Sequence, residues 1–317
     1  MSIVFLDRAT FAGSVSFAAS AVHELAWRDY AHTPVQQVLE RVQDAKVVIT
    51  NKVRLSGDVI AACRQLKLIV AAATGVDHID LEAARQREIA VCNVRGYAVH
   101  SVPEHVFAML FALRRNILRY SNAVHAGDWS RAETFCLLAY PIDDLAGATL
   151  GVFGGGVLGQ AVSRLGAAFG MNVLLAEQRE AKAVRAGRTP FEDVLAQADV
   201  VTLHLPLNPA TRNLIGAAEL ARMKPGAILI NTARGGVVNE NALLDALRAG
   251  GLGGACLDVL SEEPPPEDHP LVIANLPNLI ITPHVAWASR QAQQCLADEV
   301  AENIAAFFRG ERRNRVV

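Results

Sequence analysis

The segment TLGVFGGGVLGQAV, residues 149–162, decides the fold of this chain. Gly154, Gly156 and Gly159 fit the pattern G-x-G-x-x-G between an apolar run typical of a strand and a pattern typical of a helix. In that context the first glycine permits a tight turn, the second lets a pyrophosphate approach the backbone, and the third lets helix and strand pack closely. Free N–H groups and the helix dipole then favour an anion at the start of the helix. The segment therefore predicts a dinucleotide site.

An acidic residue, Glu177, ends the next apolar run, NVLLAE. A carboxylate at this place accepts hydrogen bonds from a ribose hydroxyl and repels a 2′-phosphate, which favours NAD over NADP. Arg179 and Arg185 follow closely in the sequence, and either could bind a phosphate. We therefore expect NAD as the cofactor and leave NADP open.

On both sides of this segment the sequence alternates apolar runs with helical patterns. From residue 149 onward the predicted strands are TLGVFG, NVLLAE, ADVVTLHLP, GAILINTA, GGACLDV and NLIITPH. The first hundred residues contain SIVFLD, KVVIT, LKLIVAAAT and IAVCN. Such alternation indicates parallel sheets. We predict an α/β fold of two Rossmann-like parallel-sheet domains, one flavodoxin-like and one doubly wound, with the active site in the cleft between them.

The 317 residues exceed the usual size of a single core, so we expect two domains. Residues 1–100 and 288–317 are predicted to form the substrate-binding domain, and residues 101–287 the NAD-binding domain. A long helix over 101–121, with Ser101 as its N-cap, would link them. A final helical pattern over 289–311 would return the chain to the first domain.

The composition excludes several function classes. With 51% apolar and 20% charged residues, a net charge of −2 and no basic run, the chain is globular and has no expected nucleic-acid partner. No apolar stretch could span a bilayer, and Asp7 and Arg8 interrupt the N-terminal run before it could act as a signal peptide, so we expect a cytoplasmic protein without membrane contact. The five cysteines lack metal or redox spacing, so we expect no metal and mostly buried thiols: Cys63, Cys92, Cys136, Cys256 and Cys295.

Three chargeable side chains follow strands at the edge where the glycine loop lies. Arg234 follows GAILINTA, Glu263 lies in the loop after GGACLDV, and His284 ends NLIITPH. A histidine can protonate a carbonyl oxygen near neutral pH, a neighbouring carboxylate favours its charged form and holds its orientation, and an arginine binds a carboxylate through two N–H groups. Together they predict reduction of a 2-keto acid, or oxidation of a 2-hydroxy acid in reverse. Each also has a simpler interpretation: a structural histidine, a solvated acid or a surface turn.

Longer segments resemble the D-2-hydroxyacid dehydrogenase family, and within it the glycerate dehydrogenase (hydroxypyruvate reductase) branch. The matching segments, between about Val70 and Ser289, are ATGVDHIDL, SVPEHVFAMLFALRRN, DLAGATLGVFGGGVLGQAV, DVVTLHLPLNPATRNLIG, MKPGAILINTARGGVVNENAL, LDVLSEEPPPEDHPL and NLIITPHVAWAS.

The resemblance implies a homodimeric, NAD-dependent enzyme that reduces hydroxypyruvate or glyoxylate. It implies that Arg234 binds the substrate carboxylate with backbone N–H groups of Gly75 and Val76, and that His284 donates the proton with Glu263 as its partner. Asp258 would hold the nicotinamide amide and Glu177 the adenosine ribose. The implied cofactor contacts are Gly154, Gly156, Val157, Leu158, Gly159, Glu177, His204, Pro206, Thr232, Ala233, Arg234, Asp258 and His284.

Two departures from the family pattern stand out. Val157 and Leu158 occupy positions where the family usually has Arg then Ile, which removes a charge-assisted contact worth roughly 1.5–3 kcal/mol. Leu138 stands where the glycerate branch usually has Trp, whereas Trp287 in AWAS follows that branch. Two alternatives therefore stay open: a dehydrogenase for a bulkier 2-keto acid, and an NAD(H)-sensing corepressor-like binding protein of the same fold.

Overall fold

The computed structural model describes residues 2–17 and 26–317, and the chain divides into two compact units. One unit comprises Met1–Tyr97 and Ala288–Val317, and the other comprises Ala98–Trp287. Each unit has its own parallel sheet, which confirms the predicted α/β fold class.

The first unit contains a five-stranded sheet of order β2-β1-β3-β4-β5, which is the flavodoxin-like order. Its strands are β1 (Ser2–Phe5), β2 (Ala26–Asp29), β3 (Ala45–Thr50), β4 (Leu68–Ala71) and β5 (Ala90–Cys92). The helices of this unit are α1 (Val38–Val42), α2 (Gly57–Ala62), α3 (Leu81–Gln86) and α11 (Arg290–Phe308). The sequence does not predict β2, because this edge strand, AWRD, is mostly exposed and contains no apolar run.

In the first unit, an acidic side chain lies at the point where the strand order reverses. Asp7, which follows β1, is buried and accepts backbone N–H groups of Asn51 at 2.9 Å, Lys52 at 2.6 Å and Val53 at 3.2 Å. Anionic ligands commonly bind at such a switch point. Here the donors that follow β3 bind the Asp7 carboxylate instead.

The second unit contains a six-stranded sheet of order β11-β10-β9-β8-β6-β7. Its strands are β6 (Thr149–Phe153), β7 (Asn172–Leu175), β8 (Val200–Leu203), β9 (Ile228–Asn231), β10 (Gly254–Leu257) and β11 (Leu279–Ile281). A parallel bridge between Ala176 and Thr189 extends the edge beside β7. The order reverses between β6 and β8, so their carboxyl ends flank the crevice where doubly wound sheets bind ligands.

The helices of the second unit correct one prediction. They are α4 (Ser101–Arg114), α5 (Ile117–His125), α6 (Val157–Ala168), α7 (Phe191–Gln197), α8 (Ala217–Arg222), α9 (Glu240–Arg248) and α10 (Pro270–Ile273). The single helix predicted over 101–121 is wrong, because Asn116 adopts a left-handed conformation with φ of 50° between α4 and α5. The N-cap is His100, and the Ser101 hydroxyl instead donates to the Ala286 carbonyl at 2.6 Å.

Burial follows the apolar runs of the sequence. Cys63, Cys92 and Cys256 are buried, as expected for most of the cysteines, whereas Cys136 is half-buried and Cys295 is exposed. Desolvation raises the pKa of the three buried thiols, which keeps them protonated. In the described ranges, no helix is both long and apolar enough to cross a bilayer.

Candidate active site

The glycine loop has the geometry that its sequence predicts. Gly154 has a φ of 109°, and a Cβ there would lie 2.3 Å from the carbonyl oxygen of His204. A Cβ on Gly159 would lie 1.8 Å from the carbonyl oxygen of Gly154. Gly156 is the N-cap of α6 and faces open space. Val157 and Leu158 begin that helix, so their N–H groups have no intrahelical partner and can bind an anion.

A cavity of about 560 Å³ opens beside this loop, and we call it the adenosine cavity because Glu177, the residue predicted to bind the adenosine ribose, is part of its lining. It is lined by five of the residues predicted to contact the cofactor: Gly154, Gly156, Glu177, His204 and Pro206. Apolar walls come from Phe153, Leu205 and Leu214 among others. Desolvation lowers the pKa of His204 to about 4, so its ring is neutral at pH 7 and lies 3.0 Å from the Thr202 hydroxyl.

Within the adenosine cavity, Glu177 is not a free carboxylate. Its Oε1 accepts the backbone N–H of Gln178 at 2.8 Å and a short bond from Nη2 of Arg185. Its Oε2 accepts the Arg185 backbone N–H at 3.1 Å and Nε at 2.8 Å. The guanidinium holds the pKa of Glu177 far below its ordinary value. The carboxylate therefore stays ionised and bound to Arg185.

Arg234 lies in a loop that Asn231 holds at the end of β9. The Asn231 amide donates to the Arg234 carbonyl at 2.9 Å and accepts the Ala233 N–H at 3.0 Å. Arg234 is half-buried, and its Nη1 donates to the Ala233 carbonyl at 2.8 Å. In the described chain, the buried hydroxyl of Thr232 has no hydrogen-bond partner. A polar atom of a bound molecule would satisfy it.

His284 and Glu263 form a close pair. Nδ1 of His284 lies 2.6 Å from Oε2 of Glu263, whose Oε1 accepts the Leu260 N–H at 3.1 Å. His284 has a φ of 54°, an uncommon left-handed conformation for a residue with a side chain. The Trp287 indole donates to the His284 carbonyl at 3.0 Å. With Nδ1 on the carboxylate, Nε2 is the ring nitrogen left for a substrate.

Asp258 holds the backbone on which His284 lies. Its buried carboxylate accepts the Thr282 hydroxyl at 2.6 Å, the Val285 N–H at 2.9 Å and the Ala286 N–H at 2.8 Å. Since Thr282 has one hydroxyl proton and donates it to Asp258, the His105 Nε2, 3.0 Å away, must donate to Thr282. These contacts position His284, and the expected bond from Asp258 to a nicotinamide amide stays a prediction.

A second carboxylate, Glu240, holds the loop that carries Glu263. It accepts the Ser261 N–H at 2.6 Å and the Ser261 hydroxyl at 2.7 Å, and His269 Nε2 lies 3.2 Å away. On the other side, a Cβ on Gly235 would lie 1.8 Å from the Leu260 carbonyl oxygen. The loops that follow β9 and β10 are therefore in direct backbone contact.

Three other residues singled out from the sequence are Gly75, Val76 and Leu138. Gly75 and Val76 lie half-buried in the turn after β4, in the first unit, and their role stays a prediction. Leu138 is 78% exposed. The part of the chain that the structure describes has no group of histidine, cysteine and acidic side chains suited to a metal ion.

Sequence reasoning did not identify His105, Asn231, Glu240 or Thr282 as parts of the site. His105 lies on a helix far along the chain from Asp258, so no local pattern connects them. Glu240 resembles an ordinary first-turn acid of a helix. Asn231 and Thr282 did carry a signal, since Asn231 is a polar residue that ends the buried strand β9 and Thr282 is a polar residue directly after the half-buried strand β11.

The chain is similar in sequence and in fold to known proteins. A family profile described as "D-isomer specific 2-hydroxyacid dehydrogenase, NAD binding domain" matches residues 107–286. The chain is 46% identical over 314 residues to a glycerate dehydrogenase from Methylorubrum extorquens, covering 99% of this chain and 98% of that protein. It is 33% identical over 287 residues to a hydroxypyruvate reductase from Blautia hydrogenotrophica, covering 90% and 88%. A solved structure of D-lactate dehydrogenase from Aquifex aeolicus, complexed with NAD and lactic acid, has a TM-score of 0.83 and 28% identity, covering 98% and 96%.

Proposed function

Because this chain belongs to the D-isomer specific 2-hydroxyacid dehydrogenase family, and is thus an oxidoreductase that acts on CH–OH groups with NAD or NADP as its cofactor, we propose that it reduces hydroxypyruvate or glyoxylate. The products would be D-glycerate and glycolate. The observation that carries the proposal is the 2.6 Å contact between His284 and Glu263, at the strand ends of the sheet that bears the glycine loop. The names of two similar proteins direct the choice of substrate.

The second unit fits a dinucleotide. Gly156 leaves open space at the start of α6, and the Thr232 hydroxyl is buried without a partner in the described chain. We assign the pyrophosphate to the start of α6, the adenosine to the adenosine cavity, and the nicotinamide to the loops after β9, β10 and β11. The bound reduced nicotinamide supplies the hydride that the carbonyl carbon takes up.

The proton is assigned to His284. As the carbonyl carbon gains a hydride, its oxygen gains the proton from Nε2 of the charged imidazole, and the product is a hydroxyl group. Glu263 keeps Nδ1–H as a donor throughout, so the ring does not rotate and the neutral form after transfer has one defined tautomer. In the reverse reaction His284 takes the hydroxyl proton through the same nitrogen.

Arg234 is assigned to the substrate carboxylate. A guanidinium binds a carboxylate through two parallel N–H bonds, which fixes the plane of a 2-keto acid. The Asn231 amide donates to the Arg234 carbonyl and accepts the N–H of the preceding residue, Ala233. This restraint supports a defined position for the guanidinium, because the loop has little freedom to move.

We also propose that two copies of the chain associate through an apolar surface of the second unit. Its exposed apolar side chains lie on α5 and in the following loop: Ile117, Leu118, Val124, Trp129, Phe135, Leu138 and Ile142. Phe135 is 90% exposed and is one of seven exposed apolar side chains in this segment, and grouped exposed apolar side chains mark interaction surfaces. A second copy of the chain would cover this surface, called here the α5 surface.

Turnover of a keto-acid panel tests the activity. Purified protein is mixed with NADH and, separately, with hydroxypyruvate, glyoxylate, pyruvate or phenylpyruvate, and NADH absorbance is followed. We expect fastest oxidation with hydroxypyruvate or glyoxylate. Phenylpyruvate as the best substrate would favour the bulkier-acid alternative. Failure of all four, with an NADH-dependent change of oligomeric state, would favour the corepressor-like alternative and reject the proposed activity.

A further inference from the structure

We propose that Glu177 does not bind the ribose in this chain but anchors Arg185 as the receptor for a 2′-phosphate, so that the adenosine cavity prefers a 2′-phosphorylated nucleotide. The inference rests on the proposed placement of the adenosine in this cavity. It does not depend on which keto acid is reduced. It also reverses the cofactor preference that an acid at this position predicts from sequence.

The first step is the count of hydrogen bonds at the carboxylate. An ionised carboxylate offers about four acceptor positions. At Glu177, four donors of the same chain occupy them: the backbone N–H groups of Gln178 and Arg185, and Nε and Nη2 of Arg185. A ribose hydroxyl would therefore have to displace an N–H group already bound to this carboxylate.

The second step is the geometry of the guanidinium. Its Nε–Nη2 edge binds Glu177, which leaves three of the five N–H donors of a guanidinium available. The Glu177 side chain is 2% exposed and the Arg185 side chain is 58% exposed. The carboxylate thus lies beneath the arginine, and the guanidinium is the group of this pair that is exposed to the cavity. A phosphate can bind the free edge without breaking the ion pair.

The third step is the charge around this pair. Arg188 also lines the adenosine cavity, and its Nη1 donates to the Ala176 carbonyl at 2.9 Å. Its Nη2 lies 2.5 Å from the place that a Cβ of Gly155 would occupy, directly over the glycine loop. Within the described ranges no carboxylate pairs with Arg188. The exposed Glu180 also lines this cavity, so Arg188 supports a phosphate through its position over the glycine loop and not through an excess of positive charge in the lining.

Glu177 is not protonated at neutral pH, so it stays bound to Arg185. Arg185 keeps the pKa of Glu177 far below its usual value, and the pairing raises the pKa of the guanidinium. The ion pair is therefore intact throughout the neutral range in which dehydrogenases are assayed.

Calorimetric titration of the full chain with adenosine 2′,5′-bisphosphate and with 5′-AMP tests the inference without any turnover. We expect the bisphosphate to bind at least about tenfold more tightly than 5′-AMP, as for one charge-assisted contact. Arg185→Ala should abolish that ratio. Lys182→Ala, an exposed cation of the same segment that does not line the cavity, should leave it unchanged.

Glu177→Gln distinguishes an anchoring role of Glu177 from a repelling role, because the two roles predict opposite changes in the affinity for the bisphosphate. If Glu177 anchors Arg185, the glutamine variant binds the bisphosphate more weakly, because the guanidinium loses its orientation. If Glu177 repels the phosphate, the same variant binds it more tightly, and this result overturns the inference. A wild-type preference for 5′-AMP overturns it too. Should Arg185→Ala fail to fold in circular dichroism, Arg185→Lys replaces it, since lysine keeps the charge but not the second edge.

Titrations with NADH and NADPH, together with the turnover assay, distinguish a failure of this inference from a failure of the proposed function. Loss of keto-acid turnover with the bisphosphate preference intact would reject the activity alone. Turnover with NADH and no preference for the 2′-phosphate would reject the inference alone.

Discussion

Nδ1 of His284 lies 2.6 Å from Oε2 of Glu263, although the two residues are on loops that follow different strands. The contact leaves Nε2 of the imidazole to face a substrate and gives the ring a charged partner. Asp258 holds the next two backbone N–H groups after His284, so the ring is restrained from its backbone as well as from its Nδ1. The predictions below test what these restraints do.

Replacing His284 by asparagine should lower kcat for keto-acid reduction by roughly a hundredfold or more, because the carbonyl oxygen loses its proton donor. Steady-state kinetics with hydroxypyruvate and NADH measure the effect. His32→Asn, an exposed histidine of the first unit, is the control and should behave as wild type. An active His284→Asn enzyme would exclude the assigned role.

Glu263→Gln should reduce kcat by about tenfold or more while changing KM little, because the imidazole keeps a hydrogen-bond partner but loses the adjacent charge. The matched control is Glu262→Gln, the neighbouring acid, which is exposed. Equal losses in both variants would show that the acidity of the loop matters and that the contact with His284 does not.

For Arg234→Lys we expect a loss in kcat/KM of roughly 10- to 100-fold, since a lysine cannot form two parallel bonds to a carboxylate. The loss should be smaller for an aldehyde substrate that lacks the carboxylate, and this comparison separates carboxylate binding from damage to the loop. Arg222→Lys, at an exposed helix end, provides the control. A uniform loss for both substrates would contradict the assignment.

His204 predicts a pH dependence of stability. Its pKa is lowered to about 4 by desolvation, so between its unfolded pKa near 6.5 and pH 4 the unfolded chain binds a proton that the folded chain does not. The free energy of unfolding must therefore fall as pH decreases from 7 to 5, by about 2 kcal/mol from this group. His204→Gln keeps a partner for Thr202 and should remove that part of the decrease.

Denaturant unfolding at pH 7 and pH 5 measures the His204 effect, with His125→Gln, an exposed histidine on α5, as control. If wild type and His204→Gln lose the same stability over this pH interval, desolvation does not keep His204 neutral in the folded chain.

The α5 surface predicts self-association. The double variant Phe135→Asp and Leu138→Asp places charges where a second copy would exclude water, and we expect the dimer dissociation constant to rise at least about a hundredfold. Sedimentation equilibrium measures it. Val35→Asp, 76% exposed in the first unit, is the control. A monomeric wild type, or a double variant that dimerises normally, would reject the proposed interface.

The local sequence pattern was enough to predict those strands and loops that a few consecutive residues define. The six strands of the second sheet and the glycine loop follow from contiguous apolar runs and from glycine spacing, because these properties act within a few residues. The edge strand β2 and the break at Asn116 did not follow, since AWRD has no apolar run and a left-handed asparagine interrupts an otherwise continuous helical pattern.

The sequence by itself determined which strands Arg234, Glu263 and His284 follow along the chain, because the positions of strands follow from hydrophobic periodicity. Only the tertiary structure decided the partners of each side chain. Asp258 meets Thr282, and Glu177 meets Arg185, through loops whose paths depend on packing and long-range hydrogen bonds. A sequence does not show whether a carboxylate faces a ligand or a guanidinium. The hydrogen-bond donors that folding brings to the carboxylate determine its chemistry.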